Sequence, residues 1–234
     1  MSSPLDQFLV QTWIPIQWGA LDLSLTNSAF FMILAAVLSV LIPYALLVSP
    51  YRILVLEVFE FIRELTRQYV GQTQYFPIML SLFLFLAMVN LLGIIPGAFT
   101  ATSHISVTLT LAVGMYIFVI ICGLYKQGWG FFRIFFPRSV PVFLAPLLIP
   151  IEIVSFFTKP ISLAIRLFAN MLAGHIMVKI FAGFVILLQF GIFSILPVGI
   201  NVILVAFEVF VAILQAYVFT LLTCLYLHDV LHLH

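Results

Sequence analysis

Long stretches without a single charged residue decide what this chain can fold into. Residues 23 to 51 contain no Asp, Glu, Lys or Arg, and neither do residues 68 to 125. A helix needs about 20 apolar residues to cross roughly 30 Å of hydrocarbon, so the first stretch holds one crossing and the second holds two. Ser28 to Val48 form the first. Ile94-Ile95-Pro96-Gly97 interrupts the second stretch, which predicts a helical hairpin from Pro77 to Ile95 and from Ile105 to Leu124. Only 7% of the residues are charged, against about 25% in soluble domains, and so few cannot cover a water-exposed surface. A soluble enzyme is excluded. A formal charge of +1 leaves no basic surface for nucleic acid, and two cysteines cannot make a disulfide framework. Cys122 and Cys224 lie in apolar runs, where buried thiols are the expectation. The first 51 positions contain no basic residue, so no secretory or transit peptide is predicted.

Tyr51 to Val70 has a different pattern. Glu57, Glu60, Glu64 and Arg67 recur at i, i+3, i+7 and i+10, which places them on one stripe of a helix that is otherwise rich in Ile, Leu and Phe. That is the pattern of an amphipathic helix lying in the membrane interface. Its charged stripe is either a solvated face joining two spans or a docking face for partner subunits. Orientation follows from the basic residues. Arg52, Arg63 and Arg67 follow the first span, Lys126, Arg133 and Arg138 follow the third, and the N-terminal segment and the 96 to 104 loop have none. The positive-inside rule puts both basic loops inside and the N-terminus outside.

Residues 142 to 228 are apolar overall but carry charges. Ile161 to Gln189 has no proline or charge cluster to interrupt it, and 29 helical residues would extend about 43 Å, more than a bilayer is thick. Pro197 opens a second long segment reaching about Leu227. The two are expected to tilt strongly as a hairpin. The predicted fold class is an all-α polytopic membrane protein, with about five crossing helices and one interfacial helix. It is read as one membrane domain over 1–234: an outer segment 1–27, a first span 28–48, an interfacial helix 51–70, a hairpin 77–124 and a long tilted hairpin 142–228.

An ionisable group within a span costs about 2.5 kcal/mol or more, so its default reading is functional. Glu152, Lys159 and Arg166 are seven residues apart, a spacing that drifts only about 20° on a helix, although Pro160 makes the register across it uncertain. Asn170 stays on the arginine face. His175, nine residues after Arg166, points to the opposite side, with Lys179 one turn beyond. Asn201, Glu208 and Gln215 repeat the heptad spacing on the second helix. Lys159 and Lys179 can be read as lysines reaching the interface, and His175 as a hydrogen-bonded core histidine. Arg166 has no carboxylate within two turns and keeps its proton at any relevant pH, so it needs a partner on another helix or chain.

Other motifs are weaker. His228, His232 and His234 with Asp229 resemble a metal site only loosely, and a polar tail is the plainer reading. His104 is read as a satisfied interface histidine and Asn90 as bonding across the hairpin. No GxxxxGK[ST] run, HExxH or nucleophile elbow is present, so neither nucleotide nor hydrolase chemistry is indicated.

The run Ser162-Leu-Ala-Ile-Arg166-Leu-Phe-Ala-Asn170-Met-Leu-Ala-Gly-His175 resembles subunit a of the F-type ATP synthases. Asn90-Leu-Leu-Gly-Ile-Ile-Pro96, Pro150-Ile-Glu152 and Glu208-Val-Phe-Val-Ala-Ile-Leu-Gln215-Ala-Tyr217 extend the resemblance over essentially the whole chain. It implies a non-catalytic proton-channel stator subunit with no cofactor, which serves ATP synthesis through two offset aqueous half-channels. The implied partners are a rotating c-subunit ring, the peripheral stalk, other membrane subunits and the lipid bilayer. Position by position, the resemblance makes Arg166 the essential arginine and Asn170 and Gln215 its polar neighbours. Glu152 becomes the carboxylate of the inner half-channel, and His175 with Glu208 the pair of the outer one. The His175 and Glu208 arrangement is one that the family shows in mitochondria and some bacteria, and the short N-terminal extension resembles a mature or organelle-encoded form. The mitochondrial inner membrane is the expectation, with a bacterial inner membrane as the alternative. On the residues alone two other classes stay open: a transporter that holds an anion at Arg166, which should show two repeated halves, and a membrane scaffold that tolerates loss of Arg166, Glu208 and His175.

Overall fold

A computed structural model describes residues 12–15, 17–18, 21–22, 24–95, 98–135, 145–188 and 195–231. The fold is all-α. Among the described residues five helices are long and apolar enough to cross a membrane. Before them, β1 (Thr12–Ile14) pairs antiparallel with β4 (Leu25–Thr26), and β2 (Gln17–Trp18) pairs with β3 (Leu21–Asp22). The sequence reading assigned this segment no structure. Its signal is the alternation of Leu21, Leu23 and Leu25 with Asp22, Ser24 and Thr26, a period of two over too few residues to stand out.

Helix α1 (Asn27–Val48) begins where the Thr26 hydroxyl oxygen accepts the Ala29 N–H at 3.2 Å, satisfying one of the four free donors of the first turn. Helix α2 (Arg52–Val70) buries Val55, Ile62, Leu65, Thr66 and Val70 and leaves Glu57, Glu60, Glu64 and Arg67 exposed. The charged stripe is thus on the surface, with Arg63 bonded to Glu60 at 2.8 Å. Gly71 ends α2 at φ +74, a left-handed conformation that a side chain would strain.

Helices α3 (Phe76–Ile94) and α4 (Ile105–Gln127) are consecutive, but they do not pack mainly on each other: α3 lies against α6 and α1, and α4 against α5 and α6. Their connection folds inward: Thr100, Thr102 and Ser103 are all buried, and the 101–103 turn packs against the next helix. Pro96 and Gly97, which signalled the break, lie outside the described residues.

Helix α5 (Ala145–Leu187) has 43 residues and α6 (Ile195–Leu231) has 37. At 1.5 Å per residue they extend about 64 and 55 Å, well beyond the hydrocarbon thickness. The register left open at Pro160 is continuous, for α5 runs through both Pro150 and Pro160. Proline has no N–H, so Pro160 leaves the Phe156 carbonyl without its helical donor. The Tyr116 hydroxyl of α4 donates to that carbonyl at 2.7 Å. A neighbouring helix has supplied the missing bond, which is how membrane helices tolerate proline. Pro197 falls in the first turn of α6, where no intrahelical bond is lost.

Helix α6 is the centre of the packing and touches α2, α3, α4 and α5. Small residues make this possible. Ala164, Ala212 and Ala216 are fully buried, and a methyl group added at Gly123 would overlap the Val230 side chain. Lipid tails give helices no hydrophobic reason to associate, so close backbone approach and interhelical hydrogen bonds carry the packing. Gln127 Nε2 donates to the Val230 and Leu231 carbonyls at 3.2 and 2.9 Å, joining the end of α4 to the end of α6.

Candidate functional site

The antiparallel pairing of α5 and α6 brings two polar pairs together. Asn170 Nδ2 donates to Gln215 Oε1 at 3.0 Å, and His175 Nδ1 lies 3.3 Å from Glu208 Oε1. Glu208 and Gln215 are seven residues apart and so share one face of α6, and each meets the α5 residue opposite. All three of His175, Glu208 and Gln215 are at least 90% buried. The His175 and Glu208 contact has the separation of an ion pair without the alignment of a hydrogen bond. On its other side, His175 Nε2 is 3.1 Å from the Thr100 hydroxyl. Gly174 creates the room: a Cβ there would lie 2.7 Å from Glu208 Oε1.

Glu208 stands between two cavities. One, of about 560 Å³, is lined by His175, Lys179 and Val205 and reaches Ile94 and Ile95 at the end of α3. The other, of about 300 Å³, is lined by Asn170, Gly174, Phe207 and Val211. A third space of about 480 Å³, beside Asn201 near the α5–α6 turn, shares Val205 with the first. The three follow α6 in a row from Asn201, past Glu208, to Asn170. Unpartnered buried polar atoms mark the row: Asn201 Oδ1, Glu208 Oε1 and Gln215 Nε2 have no hydrogen-bond partner among the described residues. Such atoms are costly in an apolar medium and are the places where water enters.

Arg166 is exposed on α5 and makes no hydrogen bond or ion pair among the described residues, although its charge acts on Tyr226. The helical wheel placed His175 opposite Arg166. In the structure the two are buried and exposed respectively, while Asn170 sits between them, half-buried, and reaches α6. Glu152 is half-buried nearer the start of α5, within electrostatic reach of Tyr116 on α4. It is not brought to the His175 cluster.

Several readings of single residues change. Lys159 does more than reach toward an interface: its Nζ lies 3.4 Å from Asp229 Oδ2 and 5.1 Å from the Tyr226 ring centroid. His232 and His234 lie outside the described residues, and among those described no cluster of three potential metal ligands occurs. Asn90 bonds across to α6, with Nδ2 donating to the Ala212 carbonyl at 3.2 Å, and not within its own hairpin. His104 stacks on Phe99 at 5.2 Å, but its buried Nε2 has no hydrogen-bond partner among the described residues. Cys122 and Cys224 are free thiols, Cys224 fully buried.

Sequence reasoning missed Thr100 and Gly174. The signal for Thr100 was the polar run Thr100, Thr102, Ser103 and His104 in an otherwise apolar hairpin. For Gly174 it was a glycine next to a membrane histidine.

Residues 24–228 match the family described as ATP synthase A chain. The chain is similar to ATP synthase subunit a of Rhodospirillum rubrum, at 42% identity over 100% of both chains. It is also similar to ATP synthase subunit a of Mesorhizobium japonicum, at 44% identity over 98% of this chain and 96% of that one.

Proposed function

The chain belongs to the ATP synthase A chain family, and from that premise we propose that it conducts protons through two offset half-channels to a rotating ring of c subunits. The observation that carries this reading is the position of Glu208, between a cavity lined by His175 and one lined by Asn170. A proton moving down about 100 mV releases roughly 2.3 kcal/mol, and that energy does work only if direct passage is blocked. Glu208 and His175 exchange protons on the outer side, and Glu152 does so on the inner side. Arg166 separates the two. It cannot relay a proton, and its charge favours the ionised form of a ring carboxylate that faces it. Its exposure fits this role, because the group it acts on belongs to another chain. Asn170 and Gln215 hold the adjacent surface through their hydrogen bond.

Nucleotide chemistry resides on other subunits of the complex, and α2 with its exposed charged stripe offers a face to the stalk or other membrane subunits. Both compared relatives are bacterial, which favours a bacterial inner membrane over the mitochondrial one expected from the sequence. Proton flux in reconstituted vesicles with and without the c-ring tests the function. Flux that depends on the ring supports it, and flux without the ring supports a transporter. Orientation is tested by cysteines introduced at Ala98 and Gly130: an impermeant reagent added outside should label position 98 and spare position 130. Equal labelling would reverse or abolish the assignment.

A further inference from the structure

We propose that Thr100 is a positioning residue that holds His175 with its proton on Nε2, so that a bare Nδ1 faces Glu208. The inference rests on the reading of His175 and Glu208 as a conducting pair. Thr100 is 1% exposed and comes from the inward-folded connection between α3 and α4, not from either helix of the pair. Its hydroxyl lies between two groups: it donates to the Gly93 carbonyl at 3.4 Å, and its oxygen is 3.1 Å from His175 Nε2.

The assignment of the donor follows from what each group needs. Gly93 is a buried residue in the last turn of α3, where carbonyls turn to groups outside the helix for donors. A hydroxyl has one hydrogen. With that hydrogen directed to Gly93, the Thr100 oxygen can only accept from the imidazole, which therefore carries its proton on Nε2. A second feature agrees with this. A methyl group at Gly93 would lie 2.8 Å from Thr100 Cγ2, so glycine is what allows the threonine to sit against the helix end.

The consequence lies at Nδ1. In the neutral ring it is an acceptor, 3.3 Å from Glu208 Oε1. The terminal torsion of a glutamate is soft, so the carboxyl can turn into alignment at little cost. When the proton leaves Oε1 and bonds to Nδ1, the O–H bond breaks, the N–H bond forms, and a carboxylate faces an imidazolium. Nothing else has to move. The imidazolium donates from Nδ1 to Glu208 and from Nε2 to Thr100, and the neutral ring keeps the second of these bonds. Two sets of groups face the ring besides Thr100 and Glu208. Lys179 lies one turn along α5 and acts on His175 through its charge, and the α3 residues lining the shared cavity are Leu91, Gly93, Ile94 and Ile95.

The test is nitrogen-15 NMR of histidine in the assembled complex, with the His175 signal identified by its loss in His175→Gln. A neutral ring protonated on Nε2 is expected. A ring that never shows this form overturns the proposal, and because this measurement uses the unmodified chain it does not depend on any variant assembling. Thr100→Val should remove the preference and slow proton-driven ATP synthesis about tenfold, the effect of one lost hydrogen bond. Thr100→Ser should restore both. An unchanged preference in Thr100→Val would also overturn it. If Glu208→Gln leaves conduction intact while the Nε2 form is observed, the conducting role of the pair fails and the assignment of Thr100 stands.

Discussion

The two faces of α5 solve the problem of charge in a membrane in opposite ways. His175 is buried and has a neighbour from this chain within 3.3 Å of each ring nitrogen. Arg166, nine residues earlier, is exposed and has no hydrogen bond or ion pair among the described residues. The histidine face is finished within the chain, while the arginine face is left for a partner. A permanent cation that stays uncompensated is costly in hydrocarbon, so under the proposed function the difference marks the arginine face as the one that meets the ring.

The largest expected effect comes from the unfinished face. Arg166→Ala should abolish coupled ATP synthesis and, in an assembled complex, leak protons without rotation. The leak should vanish when the ring carboxylate is also neutralised. Arg166→Lys should nearly abolish synthesis too, because a desolvated lysine can lose its proton. Normal coupled synthesis in Arg166→Ala would erase the distinction between the faces.

On the finished face, Glu208→Gln keeps the shape of the side chain and removes its exchangeable charge. Proton conduction should fall about a hundredfold, within the usual range for losing one acid–base group, with assembly intact. Unchanged conduction in both Glu208→Gln and His175→Ala would remove the pair from the path.

Tyr116→Phe probes how completely the interior is satisfied. It takes away the donor to the Phe156 carbonyl opposite Pro160, and thermal unfolding of the purified complex should show a loss of about 1 to 3 kcal/mol. A smaller loss would mean that α5 does not rely on α4 to pass its proline. The smallest effect belongs to Lys159→Met. Its ion pair with Asp229 is partly exposed, so stability should change by less than about 1 kcal/mol in the same measurement.

These contrasts were unevenly legible in the sequence. Helices α1, α3 and α4 were placed because a charge-free run of sufficient length has few other uses in a chain this apolar. The stripe on α2 was visible because charge recurs with the helical period. The continuity of α5 was not readable, since the residue that makes Pro160 tolerable is Tyr116, 44 positions away. The same holds at the site. Heptad spacing placed Glu208 and Gln215 on one face, and a separation of nine residues set His175 opposite Arg166, but spacing within a helix says nothing about what comes from elsewhere. Thr100 and the bond from Asn90 to α6 depend on the order of packing, which only the folded chain contains.

Gln127 has a consequence for how the molecule sits in its solvent. A helix ordinarily has to bring its last carbonyls to water, and where the water surface lies depends on the lipid. Here one amide from α4 takes the Val230 and Leu231 carbonyls, so the end of α6 is moored to protein and not to the bilayer surface. Asp229, and the lysine it meets, are therefore held at a depth set by α4. Membranes of different thickness should leave their position relative to α4 unchanged.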